Sequence, residues 1–236
     1  MPEYWWAART AALELAAADG RALTLPEAAP PGFAQLRPHI HQGWEMVLMA
    51  AELGRADFDA AAAAAAYDSA CAAARARWAW GAERLQRALE TVRHAAITTD
   101  RGAWLARYRP YPGVIERLPR LSAEGAEWVV LTTKGAAFAA ELLAAARLTP
   151  DALYGHEHGS KPEVLLRLRE RGRPLWFVED RRPTLERVRA TAGLETVRCY
   201  LVAWGYLAPG DGRGLAEAGL RWLEPEQFAA PLAAWP

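Results

Sequence analysis

Four apolar residues with strand-forming side chains, Leu175-Trp176-Phe177-Val178, run directly into two adjacent carboxylates, Glu179-Asp180. Pro174 precedes the run, and Arg181-Arg182-Pro183-Thr184 leads from it into a helical pattern. A short unbroken apolar run between such signals predicts a strand buried on both faces, as in a parallel sheet covered by helices. Acids placed where that strand ends project into the crevice at its carboxyl edge, where open α/β sheets bind ligands. Neighbouring carboxylates repel and favour a cation between them; a hard ion such as Mg²⁺ suits oxygen ligands. Arg181 and Arg182 offer the plainer alternative of a structural ion pair.

The rest of the chain divides into two halves by pattern. Residues 3–108 predict helix after helix, over 3–18, 41–53, 57–80, 81–94 and 100–108, with no convincing strand. At Arg109-Pro110-Tyr111-Pro112-Gly113 the composition changes. Strand patterns over 128–133, 151–154, 175–178, 196–204 and 220–223 then alternate with helices over 114–121, 136–147, 160–171 and 185–191. This β/α alternation predicts a parallel three-layer α/β domain over 110–236, following a helical region over 1–109. Net charge is zero with a pI near 7, so nothing favours nucleic acid or an anionic membrane as a partner. Cys71 and Cys199 lie far apart without metal spacing and suit buried roles in a reducing, cytoplasmic setting. Neither a signal peptide nor a membrane span is visible in the residue pattern.

Lysine use is uneven. Of 28 basic residues only Lys134 and Lys161 are lysine. A compact ammonium is not equivalent to a guanidinium where a point charge is needed, although codon bias alone is compatible with two survivors. Thr132-Thr133-Lys134-Gly135 stands at a strand end and a helix start, where hydroxyls and free N–H groups either cap the helix or hold an anion. Gly159-Ser160-Lys161-Pro162-Glu163 opens another helix with a capping box. There Lys161 puts a cation at the positive end of a helix dipole, which a nearby anion would explain.

A hydroxyl, an ammonium and a carboxylate pair at successive element ends resemble the haloacid dehalogenase-like (HAD) superfamily. Thr132 matches its second motif, Lys161-Pro162 its third and Glu179-Asp180 its fourth. Pro110–Leu118 resembles the Tyr-Pro-Gly helix that often precedes the second motif, and Trp204-Gly205-Tyr206 the turn after the fifth strand. The resemblance implies a three-layer Rossmann-like core with a parallel sheet over 110–236 and an all-helical cap over 1–109. It also implies Mg²⁺-dependent hydrolysis of a small phosphorylated metabolite through an aspartyl-phosphate. Thr132 and Thr133 would bind phosphate, Lys161 would offset charge, and Asp180 with Glu179 would hold Mg²⁺. Thr184 stands where many relatives carry another Asp; Glu179-Asp180 fits the version that uses an adjacent acid pair.

The family's first motif, an apolar strand ending in Asp-x-Asp, is missing from these residues. Asp57-Phe58-Asp59 has no apolar strand before it and an alanine helix after it, so it predicts an N-cap rather than a nucleophile. Without the first-motif strand, the strands around 128–133 and 175–178 would keep unpaired backbone groups in mid-sheet, at about 1–3 kcal/mol for each buried group. The expectation is an upstream segment carrying Asp-x-Asp, the 236 residues alone being inactive. Alternatives are a non-catalytic binding or regulatory module and a metal-independent dehalogenase of the same superfamily. Tryptophans such as Trp5, Trp6, Trp78 and Trp80 are expected in the core rather than on a binding surface. His39, His41, His156 and His158 are expected in loops or the cap, not as metal ligands, with His156 and His158 near the site mouth.

Overall fold

The computed structural model describes residues 2–236, which form two compact units, one up to Arg109 and one from Pro110 on. The first unit is helical: α1 (Pro2–Ala18), α2 (Pro31–Leu36), α3 (Glu45–Leu53), α4 (Ala60–Ala65), α5 (Tyr67–Trp78) and α6 (Ala82–Leu105). Small residues on one side of α1, among them Ala7, Ala8, Ala11 and Ala12, are fully buried in one core with Val47, Leu48, Ala50 and Ala51 of α3. Small side chains let two helix backbones approach closely and fill the space between them without voids. Glu3 and Arg93 form a buried ion pair at 2.7 Å between α1 and α6. Buried Glu52 of α3 accepts bonds from Arg77 at 2.6 Å and from the Trp78 indole at 2.7 Å. Trp5, Trp78 and Trp80 are buried, as expected, while Trp6 is half-buried.

Three helix boundaries differ from expectation. The helix expected from 41 begins at Glu45, whose carboxylate turns back to accept the His41 N–H at 2.7 Å. Residues 57–80 do not form one helix. Ala66 leaves helical geometry (φ −130, ψ 49), and Tyr67 beyond it is buried with its hydroxyl on Glu45 at 2.9 Å. Alanine's helix propensity is weak beside a buried tertiary contact such as the Tyr67 hydroxyl on Glu45. Asp100 kinks α6, and its carboxylate caps the Ala103 N–H at 2.8 Å, so a helical segment does start there.

The second unit is α/β with two small parallel sheets. Its elements are α7 (Val114–Ala123), β1 (Val129–Leu131), α8 (Ala136–Ala145), β2 (Ala152–Tyr154), α9 (Lys161–Arg169), β3 (Trp176–Glu179), α10 (Arg182–Arg189), β4 (Arg198–Val202), β5 (Leu220–Leu223) and α11 (Pro225–Ala229). β1 pairs with β2, and β4 lies between β3 and β5, all parallel. No strand joins β1 to β3 among the described residues. Apolar side chains of both sheets nonetheless meet in shared cores. Val129, Leu131, Phe177, Cys199 and Leu201 share one core with Leu165 and Leu168 of α9 and Leu185 and Val188 of α10. Their chain neighbours Trp128, Val130, Trp176, Val178 and Tyr200 share another with Leu121 of α7 and Phe228 of α11. This is the period-two alternation of a strand with apolar contacts on both faces.

The expectation of a strand buried on both faces, made for 175–178, is met only in part; Cys199–Val202 of β4 are all buried, while the three residues of β1 are all half-buried. β3 alternates between half-buried and buried. An edge with no neighbouring strand admits water, whatever the apolar content of the strand itself.

A second tie closes the far side of the unit. Fully buried Arg117 of α7 donates to the Phe228 carbonyl at 2.8 Å and in bidentate fashion to Glu124 at 2.7 and 3.0 Å. Glu124 also accepts the Leu232 N–H at 2.7 Å, and the Tyr200 hydroxyl donates to a Pro236 oxygen at 2.8 Å. Cys71 and Cys199 are buried free thiols, pushed up to about 11 by burial, and therefore protonated and unreactive at neutral pH. No helix among the described residues is long and apolar enough to cross a membrane.

Candidate functional site

Glu179 closes β3 and Asp180 follows it. Glu179 is only 8% exposed, and the Lys161 ammonium is hydrogen-bonded to its carboxylate. Lys161 is the first residue of α9, aimed by the capping box in which the Ser160 N–H donates to Glu163 at 2.7 Å and by Pro162 in the first turn. The motif that reads as plain helix capping thus also positions the ammonium. Burial pushes the Glu179 carboxyl above its ordinary value; Lys161 opposes that push, and the hydrogen-bonded carboxyl of Asp180 adds to it. Lys161 is therefore a cation that answers Glu179. The Arg182 guanidinium is engaged by Glu186 at 2.7 Å and by the Asp211 carbonyl at 3.1 Å.

Asp180 accepts the Tyr206 N–H at 3.3 Å, so the turn after β4 touches the end of β3. Gly205 makes that contact possible, because a Cβ there would overlap the Cβ of Asp180. The Trp204-Gly205-Tyr206 triplet is visible in the chain, but only the fold reveals which residue requires the glycine.

A second cluster sits at the end of β1. The Thr132 N–H extends the ladder to the Tyr154 carbonyl at 2.9 Å, and its hydroxyl accepts the Lys134 N–H at 3.0 Å, a local turn. Thr133 is exposed. At the start of α8 the Ala136 N–H donates to the carboxylate of Glu157 at 2.9 Å. Gly155 lets the two loops approach, since a Cβ there would overlap the Ala136 nitrogen. Partial burial raises the Glu157 carboxyl, but its own backbone N–H, that of Ala136 and the nearby His156 and His158 together hold it below its ordinary value. The two imidazoles lie 4.0 and 3.9 Å from it, and His158 Nδ1 accepts the Gly155 N–H at 3.1 Å. An internal carboxylate thus already occupies the anion-attracting end of α8. Sequence reasoning missed Glu157, because an acid between two histidines carries no periodicity that marks it.

The fold therefore joins Lys161 and Asp180 through Glu179, and gathers Thr132, Thr133, Lys134, His156 and Glu157 at the end of β1. Among the described residues no hydrogen bond or ion pair joins Thr132 or Thr133 to the acid pair. Asp59 caps α4 through the Ala61 and Ala62 N–H groups at 2.9 and 3.0 Å, and Asp57 pairs with Arg55 at 2.7 Å, as an N-cap reading expects. His41 bonds Asp68 at 3.1 Å, and His39 stacks on Tyr67. No group of three or more His, Cys, Asp or Glu side chains converges among the described residues.

A cleft of about 360 Å³ lies at the opposite, amino-terminal end of β3 and β4, lined by Arg169, Arg173, Leu175 and Val197 among others. Its two arginines are already bonded, Arg169 to the Gly193 carbonyl at 2.6 Å and Arg173 to Glu127 at 2.6 Å. The carboxyl edge carries the more reactive chemistry, since a buried acid there faces an ammonium. No family model, curated protein or solved structure matches the chain.

Proposed function

We propose that the carboxyl edge of β3, with the adjoining end of β1, is the phosphoryl-transfer site of a HAD-like hydrolase, a Mg²⁺-dependent phosphatase acting on a small phosphorylated metabolite. The carrying observation is the Lys161 ammonium on buried Glu179 with Asp180 beside it. A point charge and two carboxylates at a strand end suit a reaction whose barrier is lowered mainly by electrostatic positioning. In this reading the two sheets with α7–α11 are a three-layer Rossmann-like core, and the helical unit is a cap. The helices divided between the two cores support that layering.

Thr132 would hold a phosphoryl oxygen through its hydroxyl, with Thr133 beside it, and Lys161 would offset the charge gathered there. Glu157 would yield the α8 N-terminus to the incoming anion. The donor set fits Mg²⁺, which takes one or two carboxylates and fills its other positions with water and phosphate oxygens. Asp180 would hold it, helped by Glu179 as Lys161 transfers its contact to phosphate. When bound, the ion supplies neutralising charge at the phosphoryl oxygens. The resemblance also calls for a nucleophilic aspartate, a role assigned to none of these placed residues.

Two measurements test the reading. Mg²⁺ with inorganic phosphate should raise the melting temperature of the 236-residue protein by about 3–6 °C at tenfold saturation, and Asp180→Asn should lose that shift. No shift in the unsubstituted protein sinks the site. With p-nitrophenyl phosphate the same protein should show no turnover; Mg²⁺-dependent turnover abolished by Asp180→Asn would remove the need for an added nucleophile.

A further inference from the structure

The cleft at the amino-terminal end of β3 and β4 has a chemistry of its own. Its apolar lining includes half-buried Leu175 before β3 and buried Val197 before β4. Its polar lining is Arg169, Arg173 and Thr196, and no carboxylate is among the lining residues. At about 360 Å³ it falls in the range of cavities that hold small organic molecules, which bind through an apolar surface and a few placed polar groups. A guanidinium carries five N–H donors in one plane, so one or two hydrogen bonds orient it without exhausting it. Arg169 commits Nη1 to the Gly193 carbonyl at 2.6 Å, while its Nε and Nη2 meet no acceptor among the described residues. Gly193 stands at φ +89, and a Cβ there would come within 2.7 Å of that Nη1, so the glycine lets the guanidinium lie against the loop.

The two arginines differ in charge balance. Arg173 is held by the Glu127 carboxylate at 2.6 Å and by the Gly125 carbonyl at 3.0 Å. The acceptor on Arg169 is an uncharged carbonyl. Glu195 is the nearby acid, but it accepts the Gly193 N–H at 2.7 Å, and no hydrogen bond joins it to Arg169. The Thr196 hydroxyl also meets no partner among the described residues. One oriented guanidinium without a bonded carboxylate, a hydroxyl and an apolar surface therefore share one hollow. An arginine fork matches the two oxygens of a carboxylate, and Leu175 and Val197 match a hydrocarbon body behind it. A dianionic group would bring a second negative charge toward Glu127 and Glu195 with no second uncommitted guanidinium to answer it.

We infer that this cleft is a binding site for a small organic monocarboxylate with a compact apolar body. Arg169 and Thr196 bind the carboxylate, and Leu175 and Val197 cover the body. The site lies at the opposite end of β3 from Glu179 and stands apart from any phosphoryl chemistry.

The test follows backbone amide NMR shifts of the 236-residue protein during titration with 1-naphthoate. The amides of Leu175, Thr196 and Val197 should shift together and saturate below about 10 mM. Naphthalene-1-carboxamide keeps the body without the charge, and acetate keeps the charge without the body. Each should bind at least about tenfold more weakly. Arg169→Gln should weaken naphthoate by at least about tenfold, while Arg87→Gln, which removes the same charge from the helical unit, should leave the affinity unchanged. Absence of shifts at those three amides, equal binding of the carboxamide, or unchanged affinity in Arg169→Gln overturns the site. Tighter binding of 1-naphthyl phosphate than of naphthoate at the same amides overturns the monocarboxylate class. If Arg169→Gln fails to fold, Arg169→Lys keeps the charge and loses the fork. It should still weaken naphthoate by at least about threefold, and unchanged affinity there also overturns the inference.

Discussion

β4 and β1 are both short, apolar and parallel to their neighbours, yet they end in different environments. Tyr200 and Leu201 in β4 are 0% exposed, with strands on both sides, whereas every residue of β1 is half-buried with, among the described residues, a strand on one side only. The difference lies in the neighbours and not in the side chains, since Val129-Val130-Leu131 is as apolar as Cys199-Tyr200-Leu201. A strand's own residues decide whether it can be buried; its two edges decide whether it is.

The contrast is open to direct attack. Leu201→Ala should cost about 2–5 kcal/mol in urea unfolding, the range for a leucine lost from a sealed core, while Leu131→Ala should cost about 1 kcal/mol. Equal losses would mean that β1 is as sealed as β4. Gly205→Ala should cost about 1–3 kcal/mol, because the new methyl must push Asp180 off the end of β3. It should also weaken any Mg²⁺-dependent rise in melting temperature; a neutral result would show that the β3–β4 end is looser than its geometry.

pH sharpens the comparison next. Burial holds the Glu179 carboxyl above its ordinary 4.5, so the folded chain binds that proton more tightly than the unfolded one. The resulting stability is fully present below 4.5 and is lost as pH rises through the folded value. Glu179→Gln should therefore flatten the fall in melting temperature with pH above that point; parallel curves for the two proteins would deny the burial effect. The smallest change should come from Arg173→Ala. Its pair with Glu127 is half-exposed, so stability should drop by under about 1 kcal/mol. Exchange at Val129 and Trp176 should still quicken if that arginine helps to keep the two sheets in register.

Much of the fold was legible in the residues, for physical reasons that differ by element. β5 at Leu220–Leu223 falls where the apolar run predicts it, because its ends are marked by a glycine and a proline. The cap by Asp59 and the box from Ser160 to Glu163 were legible because capping is local chemistry. Tertiary anchors were not: α2 was missed in a stretch rich in proline, and the break at Ala66 depends on Tyr67 finding Glu45, 22 residues away. At the site, Lys161 and the acid pair announced themselves by residue type. Glu157 and the tight fit of Gly205 on Asp180 became visible only once distant loops met.

The buried Arg117 has a consequence for how the chain is made. Its partners include the Phe228 carbonyl, while Glu124 beside it waits for the Leu232 N–H and Tyr200 for Pro236. On the ribosome the helical unit can settle soon after Arg109 emerges, since its core draws only on earlier residues. The α/β unit must leave the Arg117 Nε without the Phe228 carbonyl, and the Tyr200 hydroxyl without Pro236, until those residues have cleared the exit tunnel. That interval is when this half of the molecule is most in need of a chaperone.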